Sequence, residues 1–186
     1  MARVKTATRE SVPAHQREAF DDIVKQRGSV PDTGPGSIMM NAPEMLVRGE
    51  NLRSYLRGDE SSLPESIREL AMLVTAREMD CQFIWNAHAG FGRKAGLSDD
   101  VVDSLRDRKS LNGLSPDESA VVDYGREFFR THRVSQPVFD AALTHFGVRG
   151  LTELTTLMGY YSMLAFNINA FEVGLPAATT ETPLPV

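Results

Sequence analysis

The 186-residue chain is 41% hydrophobic and 24% charged, the balance of one ordinary globular domain with appended arms. Its net charge is −5 with the two signs interspersed, so it lacks the basic stripe that phosphate-backbone binding needs, and nucleic acid is not an expected partner. A single cysteine, Cys81, excludes an intramolecular disulfide and any CxxC or Cys-rich zinc site.

No apolar signal region opens the chain, and no window approaches the ~18 uninterrupted apolar residues of a membrane span; a cytoplasmic protein is expected. Helix punctuation then recurs, strand alternation is almost absent, and the reading is all-α with about eight helices. The first covers residues 13–27, with Pro13 at its start and Gly28 at its end. Residues 28–37, GSVPDTGPGS, read as a loop of the kind that covers a surface or a pocket. Asn41 is the expected cap of a second helix over residues 43–57. Ser62 is the expected cap of a third from Pro64, with Ile67, Leu70, Ala71 and Val74 on one face.

A fourth helix starts near Asp80 and carries Cys81, Ile84, Trp85, His88 and Phe91. Ser98, followed by Asp99 and Asp100, starts a short helix, because a serine cap and first-turn carboxylates both satisfy exposed N–H groups. Ser115-Pro116-Asp117-Glu118 is a capping box that opens a helix to about His132. Pro137 begins a helix ending near Gly147. The final helix runs from Gly150 to Phe171 and is apolar almost all round, as a central or interface helix would be. The expected domain spans residues 1–178, with an N-terminal extension over 1–40 and a loose tail over 179–186.

Cys81 and His88 are seven residues apart, a rotation of about 700° on a 3.6-residue helix, so both project from one face with Ile84 and Trp85 between them. Glu69 precedes Cys81 by twelve residues and can approach it only if the chain bends, near Met79 and Asp80. A glutamate inside the apolar run RELAML is a candidate acid or base, since desolvation retunes a carboxylate. Cys81 as a small buried residue, His88 as a satisfied histidine and Glu69 as a solvated one are the bland alternatives. The four histidines, His15, His88, His132 and His145, show no HxH or HExxH spacing, so no metal site is expected.

The segment PESIRELAMLVTAREMDCQFIWNAHAGFGRKAG, with Arg68, Glu69, Leu70, Ala71, Leu73, Cys81, Trp85 and His88 at fixed offsets, resembles the core of the carboxymuconolactone decarboxylase and alkylhydroperoxidase-D-like superfamily. The run ELTTLMGYYSMLAFNINAFEVGLP is similar to that family's last helix, and GPGSIMMNAPEML to its N-terminal loop and helix. The resemblance implies an all-α bundle built around an antiparallel pair of motif helices, in a homo-oligomer of two, three or six subunits. In the alkylhydroperoxidase-D branch a Glu, a C-x-x-C pair and a His run a thiol-disulfide cycle. By position Glu69, Cys81 and His88 match, but the second cysteine falls on Ile84, and the resolving thiol is lost.

The resemblance therefore implies a cofactor-free lyase, decarboxylase or isomerase of the kind used in aromatic compound catabolism. His88 would be the principal acid/base, Glu69 its partner and Cys81 cavity lining, acting on a small carboxylic acid or lactone. Trp85, Ile84 and Tyr161 are candidate substrate contacts, and Arg48 and Arg68 candidate carboxylate clamps. Two competing readings are a one-cysteine peroxidase or redox sensor using Cys81, and a non-catalytic oligomeric binding protein.

Overall fold

The computed structural model describes residues 2–186. After a 3-10 turn at Ala14–Gln16 the helices are α1 (Arg17–Arg27), α2 (Gly34–Met39), α3 (Pro43–Arg57) and α4 (Glu65–Glu78). They are followed by α5 (Gln82–Lys94), α6 (Asp99–Arg106), α7 (Pro116–Thr131) and α8 (Gln136–Ala170). Among the described residues there is no strand, so the expected all-α class is what the chain forms. None of these helices is long and apolar enough to cross a membrane.

From Ile67 to Arg77 every residue of α4 except Arg68 is buried. A helix covered on all sides needs neighbours on all sides, and α4 packs against α5, α6, α7 and α8. The centre of the bundle is thus α4 rather than the final helix. α8 buries Leu154, Leu157, Ala165 and Ile168 but leaves Phe166 66% exposed. The two helices expected on either side of Gly147 form one rod, broken locally where Gly147 takes φ 62° and ψ 178°.

Several ends follow the expected chemistry. α1 stops at Gly28 in the left-handed region, Ser98 Oγ accepts from the Val101 N–H, and Ser115 with Glu118 closes a capping box. Two do not. The amide of Asn41 donates to the Ile38 carbonyl instead of capping α3, and Ser62 donates to Glu153 of α8 instead of capping α4. Both helices begin beside a proline, whose fixed φ starts a turn without a side-chain cap.

The segment read as a loop over 28–37 is loop only to Thr33. Pro35 in the first turn and a bond from Ser37 Oγ to the Gly34 carbonyl (2.7 Å) make Gly34–Met39 a short helix lying on α8 and α3. Residues 179–186, read as a loose tail, lie along α5. The Gln82 side chain donates to the Leu184 carbonyl (2.6 Å) and accepts from its N–H (2.8 Å). Trp85 Nε1 donates to the Thr182 carbonyl (3.2 Å), and Leu184 is buried. The open amide edge of an extended tail finds partners on the polar outer face of α5, which composition alone does not reveal.

Candidate active site

The site is made by the reversal between α4 and α5. Asp80 takes φ 48°, the Cys81 N–H reaches back to the Ala76 carbonyl (2.8 Å) and the Asp80 N–H to that of Arg77 (3.3 Å). This is a Schellman closure with Asp80 in the left-handed position. It supplies the bend anticipated at Met79 and Asp80, makes Cys81 the first cap of α5 and sends α5 back along α4. Gly92 keeps the pair close. A Cβ there would lie 3.0 Å from Leu97 Cδ1 and 3.1 Å from Leu73 Cδ1, at the level of Glu69.

Folded back, the two helices place Glu69 against His88. Glu69 Oε2 is 2.8 Å from His88 Nδ1, and the residues are 2% and 6% exposed. The other carboxylate oxygen of Glu69 accepts from Arg57 Nη2 of α3 at 3.3 Å. Glu69 is therefore a paired carboxylate in an apolar wall, not an isolated one. Among the described residues His88 Nε2 has no hydrogen-bond partner, and it is not sealed in the interior. The Tyr161 ring stands edge-on to the imidazole, with centroids 5.1 Å apart, and Phe91 lies on the outer side at 6.4 Å. Burial pushes the Tyr161 phenol up to about 12, so it is a hydroxyl and not a phenolate at neutral pH.

Cys81 is wholly buried, and that burial raises its thiol above the ordinary range; the backbone N–H groups of Phe83 and Ile84 pull the other way and lose. Ile84 and Trp85 are buried on the same helix, Trp85 with its N–H turned to the tail. The two expected carboxylate clamps fall outside the site. Arg48 is 82% exposed beside Glu44, and Arg68 spends its guanidinium on the Gly58 carbonyl at 2.7 Å. Among the described residues no group of three or more His, Cys, Asp or Glu side chains is placed to hold a metal ion.

The arginine that does reach the site, Arg57, was missed. The signal for it was present. Leu46 is buried, and Glu50, Arg53 and Arg57 follow it at +4, +7 and +11 along one stripe of α3. Arg48 is nine residues before Arg57, about 900° or half a turn out of phase, and faces solvent.

The family model of carboxymuconolactone decarboxylase matches residues 43–127, the stretch that holds Arg57, Glu69, Cys81 and His88. No curated protein matches significantly. Among solved structures the fold is similar to that of an AhpD-core, uncharacterized peroxidase-related protein from Ralstonia eutropha. The TM-score is 0.70 at 16% identity, over 95% of this chain and 93% of that one. A peroxidase-related protein from Silicibacter sp. gives 0.70 at 17% identity, over 95% and 92%. The debrominase Bmp8, solved as a cysteine-to-alanine variant with 2,3,4-tribromopyrrole, gives 0.67 at 12% identity, over 94% and 91%. The chain thus matches the carboxymuconolactone decarboxylase family over residues 43–127 and has the fold of AhpD-like proteins.

Proposed function

We propose that the protein is a cofactor-free acid–base enzyme, a lyase, decarboxylase or isomerase acting on a small carboxylic acid or lactone, with His88 as the working group. The observation that carries this reading is the buried 2.8 Å contact between Glu69 Oε2 and His88 Nδ1. A carboxylate at Nδ1 selects the tautomer protonated there and leaves the Nε2 lone pair free to take a proton from a substrate carbon or hydroxyl. The same nitrogen returns the proton to a carbanion or enolate, while Glu69 stabilises the charge that passes through the ring. Arg57 holds Glu69 from the other side. Cys81, fully buried, lines the interior. The exposed apolar side chains of α8, Val148 and Phe166 among them, support a homo-oligomer.

Turnover in a screen of small lactones and carboxylic acids tests this. His88→Ala and Glu69→Gln should each lose about 10²–10⁴-fold in kcat, the usual worth of a placed acid/base, with Cys81→Ser close to wild type. Full activity in His88→Ala would overturn the reading. A thiol mechanism is the second reading, favoured by the likeness to a debrominase captured with its ligand when a cysteine was removed. It requires the opposite pattern, with Cys81→Ser inactive.

A further inference from the structure

A cavity of about 170 Å³, open on one side, lies between α2, α3 and α8, and His88 is not part of its lining. Its walls are apolar, formed by Met39, Phe83 and Leu164. At its mouth Glu50 bridges two guanidinium groups, Arg53 Nε at 2.8 Å and Arg27 Nη2 at 3.0 Å. Two cations share one carboxylate there, so the mouth carries one uncompensated positive charge, and both arginines keep further N–H donors for another acceptor. Beside it lies a broader groove of about 630 Å³ between α1 and α3, lined in part by the same Arg27, Glu50 and Arg53.

Tyr160 points to a ligand independently of those charges. Its side chain is 7% exposed and lines the cavity, and its hydroxyl makes no hydrogen bond among the described residues and is not sealed in, so it is available to a ligand there.

We infer that this cavity is a binding site for a small carboxylate with an apolar body, its anion held by Arg27 and Arg53 and its inner end met by Tyr160. The volume is close to the ~150 Å³ known to admit one benzene ring in another protein's engineered cavity, which sets the size at a single ring or short chain. Tyr160 packs on Tyr161 at 5.8 Å, and Tyr161 on His88 at 5.1 Å, so two tyrosine rings separate the ligand from the imidazole. The binding claim stands independently of the chemistry proposed at His88.

Calorimetric titration of the full chain at neutral pH with benzoate and with neutral benzamide tests it. Benzoate should bind at least about tenfold more tightly than benzamide. Arg53→Met should weaken it by about tenfold or more and Tyr160→Phe by about fivefold, the range for charge-assisted and neutral hydrogen bonds. Tyr160→Phe removes no bond made within the chain, so it should fold and melt as wild type does. Equal binding of the two probes, unchanged benzoate affinity in both variants, or no binding at about 10 mM benzoate would each overturn the inference. His88→Ala should bind benzoate as wild type does. Loss of turnover in that variant with no response in Tyr160→Phe would leave the acid–base reading standing and remove this one.

Discussion

Arg57 Nη2 stands 3.3 Å from Glu69 Oε1, the carboxylate oxygen that the His88 contact leaves free. One carboxylate thus joins three helices, α3, α4 and α5, and its orientation toward His88 depends on a residue that need not touch substrate. Arg57→Met should lower kcat by about tenfold, the cost of one charge-assisted hydrogen bond in a partly buried pair, with KM little changed and an altered pH profile. Arg57→Lys should restore part of the loss, since it returns the charge without the planar fork. A rise in KM alone would mean that Arg57 binds substrate instead.

Burial of Cys81 predicts a slow thiol. In the folded protein, alkylation by iodoacetamide near neutral pH should be at least about tenfold slower than that of a free cysteine, whose pKa is about 8.5. Unfolding in denaturant should restore the ordinary rate. A fast thiol in the folded chain, slowed by His88→Ala, would move the chemistry to Cys81.

Glu153 ties the loop before α4 to α8. It accepts from Tyr55 Oη (2.8 Å), the Ser62 N–H (2.7 Å) and Arg149 Nε (2.9 Å), among others. Burial alone would raise this carboxyl, but the hydrogen bonds from Tyr55, Ser62 and Arg149 outweigh it and hold it at about 2. The folded value is depressed, so the stabilisation is fully present above the ordinary 4.5 and is lost as pH falls toward 2. Glu153→Gln should cost about 2–3 kcal/mol near neutral pH and flatten the acid limb of a denaturant-midpoint titration. An unchanged acid limb would contradict the assignment.

Removing residues 179–186 exposes the apolar surface under Leu184 and frees Gln82 and Trp85 of their partners. A loss of about 1.5–3 kcal/mol is expected from the leucine alone, and a drop of several degrees in Tm follows for a chain of this size. An unshifted melting curve would mean that the tail is not held in solution.

The bundle was legible in the sequence because its signals are local. Pro and Gly fix helix ends through single φ values, the serine boxes cap neighbours three residues on, and the motif offsets place Glu69, Cys81 and His88. What was missed depends on partners far along the chain. Ser62 reads as a cap until Glu153, 91 residues away, takes its hydroxyl. The tail reads as loose until the outer face of α5 is known. Arg48 and Arg57 are the same residue type on one helix, and only the phase relative to the buried Leu46 separates the solvated one from the one at the site.

The most direct test of the central claim needs no substrate. In the ¹⁵N spectrum of His88, the uncharged form of the imidazole should carry its proton on Nδ1 and a free lone pair on Nε2. That preference should be lost in Glu69→Gln. A proton found on Nε2, with Nδ1 accepting from a protonated Glu69, would leave no base facing the substrate and would contradict the account.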